Sequence, residues 1–200
     1  MDANQKTLRS YDAHVAEYIS GTPQETTGDQ KIWIDGLLAQ MPVNAKLLEL
    51  GSGFGRDAKY IQEKGFDITL SDAPIEFVNY LQDHGFAAKQ LNILQDQIPG
   101  KYDLIFASAV LLHFPPADFD QALRNIKQGL KPDGLFAFSL KRGEGEEWTD
   151  SKLGAPRYFK YWQIDEVEKI LRSVGLKLLR SGVNGGEKWI WLETGVQENE

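Results

Sequence analysis

Short apolar runs alternate along this chain with longer segments whose apolar residues recur at helical spacing. The apolar runs have the length of strands and fall at 45–50, 66–71, 86–91, 102–108 and 135–140. The helix-like segments fall at 28–40, 56–64, 74–83, 118–130 and 164–174, with a further short helix expected within 1–20. This alternation predicts an α/β fold, a three-layer Rossmann-like sandwich built around a mostly parallel sheet.

The last quarter of the chain departs from this alternation. Residues 141–156 are rich in Gly, Glu and Lys and show no period, so we expect a loop there. Strands are predicted at 176–181 and 189–193, joined by Asn184-Gly185-Gly186, which is a hairpin signal. An antiparallel hairpin after five parallel strands distinguishes this pattern from a plain doubly wound sheet.

The length and composition are those of one globular domain, with 200 residues, 42% hydrophobic and 26% charged. We expect the domain to span 1–195, with 1–27 as an N-terminal helix or lid segment and 196–200 as a disordered tail. No apolar run approaches the ~18 residues of a membrane span, so no membrane partner is expected. No signal peptide is recognisable at the start, which makes the cytoplasm the expected location.

The net charge and the numbers of cysteine and histidine residues limit the partners and the kinds of site that we expect. A net charge of −7 argues against nucleic acid as a partner, because surfaces that follow phosphates are basic. The chain has no cysteine, which excludes disulfides and thiolate catalysis, and its three histidines are scattered, so no metal site is expected. A monomer or a homodimer is compatible with the sequence.

The most informative stretch is 47–57, which reads Leu-Leu-Glu-Leu-Gly-Ser-Gly-Phe-Gly-Arg-Asp. A strand, a glycine-rich turn and a helix start bring backbone amides close to a nucleotide-like ligand. The third glycine comes one residue earlier than in a dinucleotide fingerprint, and Glu49 precedes the first glycine by two residues. A carboxylate there suits a positively charged ligand better than a pyrophosphate. The alternative is a tight turn that packs a helix on a strand and binds nothing.

Asp72 ends the second predicted strand, 21 residues after Gly51. An acid at this position, on the tip of the neighbouring strand, can bind both hydroxyls of a ribose. The alternative is a helix N-cap for the segment that begins at Pro74. The glycine turn upstream favours ribose binding.

Taken together, these residues resemble the class I S-adenosylmethionine-dependent methyltransferases. The pattern Glu-x-Gly-x-Gly-x-Gly with an acid at the end of the second strand is shared, as are the turn Leu-Lys-Pro-Asp-Gly at 130–134 and the segment 107–114 after the fourth strand. The resemblance runs from about Tyr11 to Glu193. It implies a seven-stranded sheet in the order 3-2-1-4-5-7-6, with strand 7 antiparallel.

Within that family, three stretches look like a bacterial branch of small stand-alone enzymes related to tellurite and thiopurine methyltransferases. They are 55–57, 141–146 and 157–159. Two departures are visible. Ser52 stands where Cys is common, and Ala73-Pro74 replaces the usual x-Ser after the ribose acid, which leaves Asp72 intact but puts the local helix cap in doubt.

The resemblance implies S-adenosylmethionine as the cofactor and assigns it a set of binding residues. Carried over by position, the set is Glu49, Gly51, Ser52, Gly53, Asp57, Asp72, Ala73, Asn92, Ile93 and Ser108. Glu49 and the loop amides would hold the methionine portion, Asp72 the ribose, and Asn92 with Ile93 the adenine. Ser108 would line the pocket near the methionine end. For Asn92 turn chemistry is an equal alternative.

His113 is the candidate catalytic residue, because it follows the fourth strand at the crevice where open sheets bind ligands. Its imidazole could take a proton from a thiol, amine or hydroxyl acceptor. The alternative is a structural histidine that bonds a loop carbonyl before Pro115-Pro116. A soft anionic acceptor, such as a thiolate or a reduced chalcogen, would need no base.

A mixed aromatic and charged rim is the expected acceptor site. Its candidate residues are Tyr11, Tyr18, Lys141, Glu144, Arg157 and Tyr158. The two N-terminal tyrosines would form a lid, although an aromatic stripe packed on the core is equally compatible with their spacing. For the charged candidates, a solvated loop is the alternative. Trp189 and Trp191 are expected to be core or covering aromatics.

The resulting hypothesis is an enzyme that transfers a methyl group directly, in line, to a small-molecule acceptor. The chain has only its N-terminal segment and the region 141–162 with which to select that acceptor, which favours a small molecule over a protein or RNA. Two alternatives stay open. One is a non-catalytic protein that binds S-adenosylmethionine or S-adenosylhomocysteine, and the other, less favoured, is an NAD-type oxidoreductase. The acceptor atom, S, N, O or chalcogen, is not identified by the sequence.

Overall fold

The computed structural model describes residues 2–197 and has nine strands and seven α-helices in this range. The strands are β1 Leu47–Leu50, β2 Ile68–Asp72, β3 Ala88–Gln90, β4 Tyr102–Ala107, β5 Leu130–Lys141, β6 Glu146–Thr149, β7 Arg157–Lys160, β8 Leu176–Asn184 and β9 Trp189–Val196. The helices are α1 Ala3–Asp12, α2 Val15–Ser20, α3 Gly28–Leu38, α4 Arg56–Glu63, α5 Ile75–Asp83, α6 Pro116–Gly129 and α7 Ile164–Ser173.

Seven strands form one mixed sheet in the order β3-β2-β1-β4-β5-β9-β8. The first five pair in parallel, and β9 pairs antiparallel with both β5 and β8. With β8 and β9 as the sixth and seventh strands of this sheet, the order 3-2-1-4-5-7-6 and the reversed last strand are confirmed. Because β1 to β5 run the same way, their carboxyl ends and the loops after them meet at one edge.

Successive residues of the central strands pack alternately into two separate hydrophobic cores, one on each face of the sheet. In β4, Leu104 and Phe106 pack with the core under α3, α4 and α5, whereas Ile105 and Ala107 pack with the core under α6 and α7. All four are essentially inaccessible to solvent. This is why 102–108 reads as a continuous apolar run. The expected sandwich of helix, sheet and helix is confirmed.

The region 141–156 is not only a loop, as predicted. It contains β6, which pairs antiparallel with β7 to form a separate two-stranded sheet, with Trp148 opposite Tyr158. The strand was missed because the side chains of β6 are mostly exposed, so no hydrophobic alternation marks it.

Two boundaries also differ from the prediction. The strand β5 begins at Leu130 and not at 135, because residues 131–134 bulge out between the pairs Tyr102–Leu130 and Leu104–Leu135. Val196, expected at the start of the disordered tail, belongs to β9 and pairs with Leu176, beside the pair of Gly195 and Lys177.

The rest of the predicted tail falls at the limit of the structure. Gln197 donates its backbone N–H to the carbonyl of Gly175 at 3.1 Å, and residues 198–200 lie outside the described part of the chain. Within residues 2–197, the helices are too short or too polar to cross a lipid bilayer.

Candidate active site

The loop between β1 and α4 needs glycine for conformational and steric reasons. Gly51, Gly53 and Gly55 all have left-handed backbones, with φ of +69°, +56° and +84°. A Cβ on Gly51 would lie 2.4 Å from Val110 Cγ2, and one on Gly55 would lie 2.9 Å from Leu81 Cδ2. The loop is therefore packed tightly from both sides, and Gly55 brings the start of α4 against α5.

Asp72 terminates β2 directly beside this loop. Its Oδ2 accepts a hydrogen bond from the amide of Gly53 at 2.7 Å, and its Oδ1 accepts one from the amide of Ala73 at 2.8 Å. Burial raises the pKa of this carboxyl to about 7, against the lowering effect of the two amide bonds. Asp72 is therefore a carboxyl group that gains and loses its proton near neutral pH.

The alternative role of Asp72 as the N-cap of α5 is wrong. The helix begins at Ile75 after Pro74, with no capping side chain from either of the residues before it. The amide of Glu76 donates instead to Asp12 Oδ1 at 3.2 Å. The acid that caps α5 therefore comes from the end of α1.

Glu49 lies on β1 and is also buried, with 3% of its surface exposed. Among residues 2–197, no hydrogen-bond partner is found for its Oε2, which is shielded from solvent. Burial, and after it the charge of Asp57, raises the pKa of Glu49 well above its ordinary value. A buried acceptor without a donor is costly, so this oxygen is suited to a ligand that carries donors and positive charge.

Asp57, in the first turn of α4, differs from Glu49 because both of its oxygens have hydrogen-bond donors. Arg56 binds both its oxygens, at 2.8 and 3.0 Å, and Thr26 and Gln30 donate to it at 2.7 and 2.9 Å. Gln30 also donates to Ser108 Oγ at 3.0 Å. Asp57 is thus paired with Arg56 and hydrogen-bonded at both oxygens, and it organises the pocket wall. Thr26 and Gln30 were not predicted, because their role arises only where α3 packs beside the loop.

All ten predicted cofactor residues line two adjoining cavities at the carboxyl edge of the sheet. The Asp72 cavity contains Asp72, Ala73, Asn92 and Ile93, and the Glu49 cavity contains Glu49, Ser52 and Asp57. Both are lined by Gly51, Gly53, Ser108, Ala109 and Tyr18. The glycine loop therefore stands between two parts of one continuous site.

Asn92 shows the turn chemistry that was its alternative role. Its Oδ1 accepts a hydrogen bond from the amide of Leu94 at 3.1 Å, and its Nδ2 donates to Asn4 Oδ1 of α1 at 3.2 Å. The side chain still lines the Asp72 cavity. Contact with an adenine stays a prediction.

His113 is buried at the edge of the Asp72 cavity and joined to two other elements. Its Nδ1 lies 2.6 Å from the carbonyl oxygen of Tyr158, so Nδ1 carries the proton and donates. Its Nε2 then accepts from the Tyr11 hydroxyl at 2.9 Å, and Arg157 Nη1 donates to that hydroxyl at 3.2 Å. Burial, with smaller contributions from Arg157 and Lys141, lowers the pKa of His113 to about 3. The imidazole is neutral at pH 7.

The first helix covers the site and is bonded to several elements around it. These bonds join Asn4 to Asn92, Thr7 to Tyr158, Ser10 to Pro156 and Asp12 to Glu76, at 3.2, 3.1, 2.6 and 3.2 Å. The rings of Tyr11 and Tyr18 pack edge to face with centroids 5.6 Å apart, and both contact Phe77. Residues 3–20 thus lie over the glycine loop in a closed arrangement.

The other predicted acceptor residues are spread over different environments. Lys141, Glu144, Arg157 and Tyr158 are absent from the linings of both cavities as described, and the Tyr158 hydroxyl donates to Glu146 at 2.6 Å. Arg157 is linked to the Asp72 cavity by the hydrogen bond that it donates to Tyr11, a residue of the cavity lining.

Several residues of the Glu49 cavity were not predicted as site residues. Lys152 and Trp189 line this cavity, although Trp189 was expected to be a core or covering aromatic. Ala109, between the two cavities, has a φ of +57°, which is a strained backbone for a residue with a Cβ. Its amide donates to Ser139 Oγ at 3.0 Å, which holds the strained conformation. No feature of the sequence marks Ala109.

The family of methyltransferase domains matches residues 28–181 of this chain. The phosphoethanolamine N-methyltransferase of Plasmodium falciparum is 27% identical over 80% of this chain and 62% of its own length. An N-terminal Xaa-Pro-Lys N-methyltransferase 1 of Ailuropoda melanoleuca is 30% identical over 66% of this chain and 61% of its own length. The chain therefore spans about three fifths of the length of these curated relatives.

Solved structures share the fold at low identity. The 1,6-didemethyltoxoflavin-N1-methyltransferase of Burkholderia thailandensis, bound to its substrate and S-adenosylhomocysteine, superposes with a TM-score of 0.73 and 19% identity, covering 99% of this chain and 92% of that one. A TehB-like S-adenosylmethionine-dependent methyltransferase of Corynebacterium glutamicum gives 0.63 and 22%, covering 80% and 85%.

Proposed function

Since the chain belongs to the S-adenosylmethionine-dependent methyltransferases, we propose that it methylates a small-molecule acceptor enclosed beneath its N-terminal helices. The observation that carries this proposal is the closed arrangement of α1, whose side chains bond to α5 and β7 and to the turn after β3. An acceptor held under such a cover must be small. The lid role of residues 1–27 is part of this proposal.

The residues of the Glu49 cavity fit the methionine portion of the cofactor. Its α-ammonium group carries the donors and the positive charge that Glu49 Oε2 lacks. When bound, S-adenosylmethionine supplies a methyl group made electrophilic by a positively charged sulfur. Gly51 lines this cavity without a side chain, so its backbone can approach a ligand closely.

The Asp72 cavity fits the adenosine portion. Each oxygen of Asp72 accepts one amide hydrogen bond and keeps acceptor capacity for a ribose hydroxyl. Asn92 and Ile93 line the same cavity and would contact the adenine. The amide of Gly53 fixes the carboxylate in advance, which reduces the ordering needed when the cofactor binds.

The protein's part in methyl transfer is to align the acceptor lone pair with the methyl carbon and to exclude water. Alignment of this kind can supply several kcal/mol of a barrier without covalent catalysis. We assign His113 to this positioning, because its Nε2 is occupied by Tyr11 and its pKa of about 3 makes it a weak base at pH 7. A base is needed only for an acceptor that arrives protonated.

A protein acceptor is the second candidate. It is favoured by the relative named as a methyltransferase of protein N-termini, whereas the relative named for phosphoethanolamine favours a small molecule. The cover formed by α1 and α2 supports the small molecule as the first candidate. A net charge of −7 gives no support to nucleic acid as an acceptor.

The cofactor site is tested by calorimetric titration with S-adenosylmethionine of the full chain and of Glu49→Gln. We expect the substitution to weaken binding about tenfold to a hundredfold, because it removes a charge-assisted hydrogen bond. Glu63→Gln, at the exposed end of α4, is the matched control and should bind as the unmodified protein does. If Glu49→Gln binds S-adenosylmethionine as tightly as the unmodified protein, Glu49 does not bind the cofactor.

The acceptor class is tested by measuring S-adenosylhomocysteine release. Small thiols, amines and chalcogen oxyanions form one panel, and peptides with free N-termini form another. Turnover with the first panel alone supports the proposal, and turnover confined to peptides contradicts it. Cofactor binding without turnover in either panel would favour the non-catalytic binding protein.

A further inference from the structure

Arg157 is a buried cation without a counter-ion. Only 4% of its surface is exposed, and within the described residues the guanidinium donates one hydrogen bond, to the Tyr11 hydroxyl. Its Nε is shielded from solvent and has no partner, and across residues 2–197 no carboxylate oxygen lies within 4.0 Å of the guanidinium. Burying an unpaired charge costs several kcal/mol, so such a group is expected where a ligand completes it.

Two lysines extend this positive charge. Lys141 Nζ lies 4.1 Å from the centroid of the Phe159 ring, and Arg157 Cζ lies 5.1 Å from the same centroid. Lys152 Nζ lies 4.0 Å from the centroid of Tyr18. Within the described range, neither lysine has a carboxylate within 4.0 Å. Burial, with the charge of Arg157 as a second cause, lowers the pKa of Lys152 to about 8.

The three cations, which we call the basic cluster, adjoin the two cavities. Arg157 binds Tyr11, which lines the Asp72 cavity, and Lys152 lines the Glu49 cavity. Lys141 is the register partner of Trp189, a residue of the Glu49 cavity. In a chain of net charge −7, unpaired positive charge is thus concentrated beside the site. Glu49 and Asp72 are acids, so the cluster is complementary to an anionic group and not to the ammonium or ribose that those acids would hold.

We propose that Arg157, assisted by Lys141 and Lys152, binds an oxyanion group, a carboxylate or a phosphate, carried by the methyl acceptor. This inference rests on the proposed function and names the chemical class of its acceptor. Arginine is the residue suited to the task, because its planar guanidinium can donate two parallel hydrogen bonds to an oxyanion. The free Nε supplies one of these donors.

The test uses the full chain saturated with S-adenosylhomocysteine. Sodium phosphate and sodium acetate are added in separate arms at constant ionic strength, with sodium chloride as the reference, and the melting temperature is followed. At ten times its Kd, a bound anion should raise Tm by about 3–6 °C. A larger shift with phosphate identifies a phosphate-bearing acceptor, and a larger shift with acetate identifies a carboxylate.

Variants locate the anion. Arg157→Gln should lose at least about tenfold in anion affinity, and Arg157→Lys should recover part of it. Arg124→Gln, which removes an exposed arginine paired with Asp120 on α6, should behave as the unmodified protein. If Arg157→Gln does not fold, Lys141→Met and Lys152→Met must each weaken anion binding for the proposal to stand.

Two results overturn the oxyanion site. One is the absence of any Tm shift beyond chloride, and the other is an equal loss in Arg157→Gln and Arg124→Gln. Calorimetry with S-adenosylhomocysteine separates these from failure of the proposed function. A protein that binds this ligand but no anion contradicts only the oxyanion site, whereas one that does not bind it contradicts the methyltransferase site itself.

Discussion

At the scale of single residues, two buried carboxylates of the site have opposite hydrogen-bond environments. Asp57 accepts from Arg56, Thr26 and Gln30, so its charge is already compensated. Glu49 has a buried oxygen that finds no donor within residues 2–197. The unpaired acid is the one suited to recognise a cation, and the paired acid stabilises the wall beside it.

The residue scale also shows what a sequence can and cannot predict about a site. Glu49, Gly51 and Asp72 were predictable because each lies at a fixed spacing from a strand end. Gln30 and Ala109 were not. Gln30 contributes through the packing of α3, 27 residues before Asp57, and the strain of Ala109 depends on a bond to Ser139 in another strand.

Gly51→Ala tests the close packing of the loop. The new Cβ would meet Val110 and occupy a left-handed backbone, so we expect a loss of about 2–5 kcal/mol in the free energy of unfolding. Urea denaturation measures it. The control is Gly36→Ala within α3, where no atom lies within 4 Å of the added carbon and alanine favours the helix. Equal stability of the two variants would contradict the packing argument.

At the scale of elements, the N-terminal helices contribute more to the site than their sequence indicates. The spacing of Tyr11 and Tyr18 was compatible with either a lid or a core stripe. The structure shows rings that pack on Phe77 and also line the Asp72 cavity. The packing on Phe77 agrees with the core stripe and is compatible with the lid, which stays a prediction.

The missed strand β6 gives the second lesson at this scale. Local sequence patterns predict elements that bury one face, and β6 buries almost none of its surface. Its conformation comes from pairing with β7, whose residues lie 8 to 14 positions further along the chain. Pairing between exposed strands leaves no periodic trace in the sequence.

Tyr11→Phe tests the link between the lid and the rest of the site. Removing the hydroxyl leaves His113 Nε2 without a donor and Arg157 Nη1 without an acceptor, so the free energy of unfolding should fall by about 1–3 kcal/mol. Urea denaturation checks this. Tyr80→Phe is the matched control, since no hydrogen bond of the Tyr80 hydroxyl is found in the described chain. A loss of similar size in both variants would show that the link contributes nothing specific.

At the scale of the whole molecule, the sheet order places acids from separate strands at two adjoining cavities. Glu49 on β1 and Asp72 at the end of β2 are 23 positions apart in the chain but belong to adjacent parallel strands. The order of the sheet was predictable because alternating elements and a terminal hairpin permit few topologies. Lys141 and Arg157 of the basic cluster were predicted as acceptor residues. Lys152 was not, since β5, β7 and the loop between them meet only in three dimensions.

This arrangement predicts that cofactor binding releases protons. In the free protein burial raises the pKa of Asp72 to about 7 and raises that of Glu49. A cationic ligand favours their ionised forms, so affinity should decrease as pH falls below 7, by up to about tenfold per pH unit for each group. Calorimetry at pH 7 in buffers of different ionisation enthalpy measures the release.

Glu49→Gln should reduce this proton release, whereas Glu63→Gln should leave it unchanged. The stability of the free protein should change with pH in the opposite direction to the affinity: the contribution of Asp72 decreases as pH rises. Because the folded pKa of Asp72 lies above its ordinary value of 3.8, its contribution to stability is full below pH 3.8 and is lost as pH rises through about 7. An affinity independent of pH between 6 and 8 would contradict ionisation of these acids on binding, a window set by the pKa of about 7 at Asp72.

The cap that Asp12 provides for α5 makes the separation of α1 from α5 measurable by hydrogen exchange. The amide of Glu76 is protected by a residue of α1, so it is exposed to solvent when the two helices separate. Its rate of hydrogen exchange with deuterated water would then report the free energy of lid opening at a single backbone position. This one amide would follow the opening of the active site without substrate or turnover.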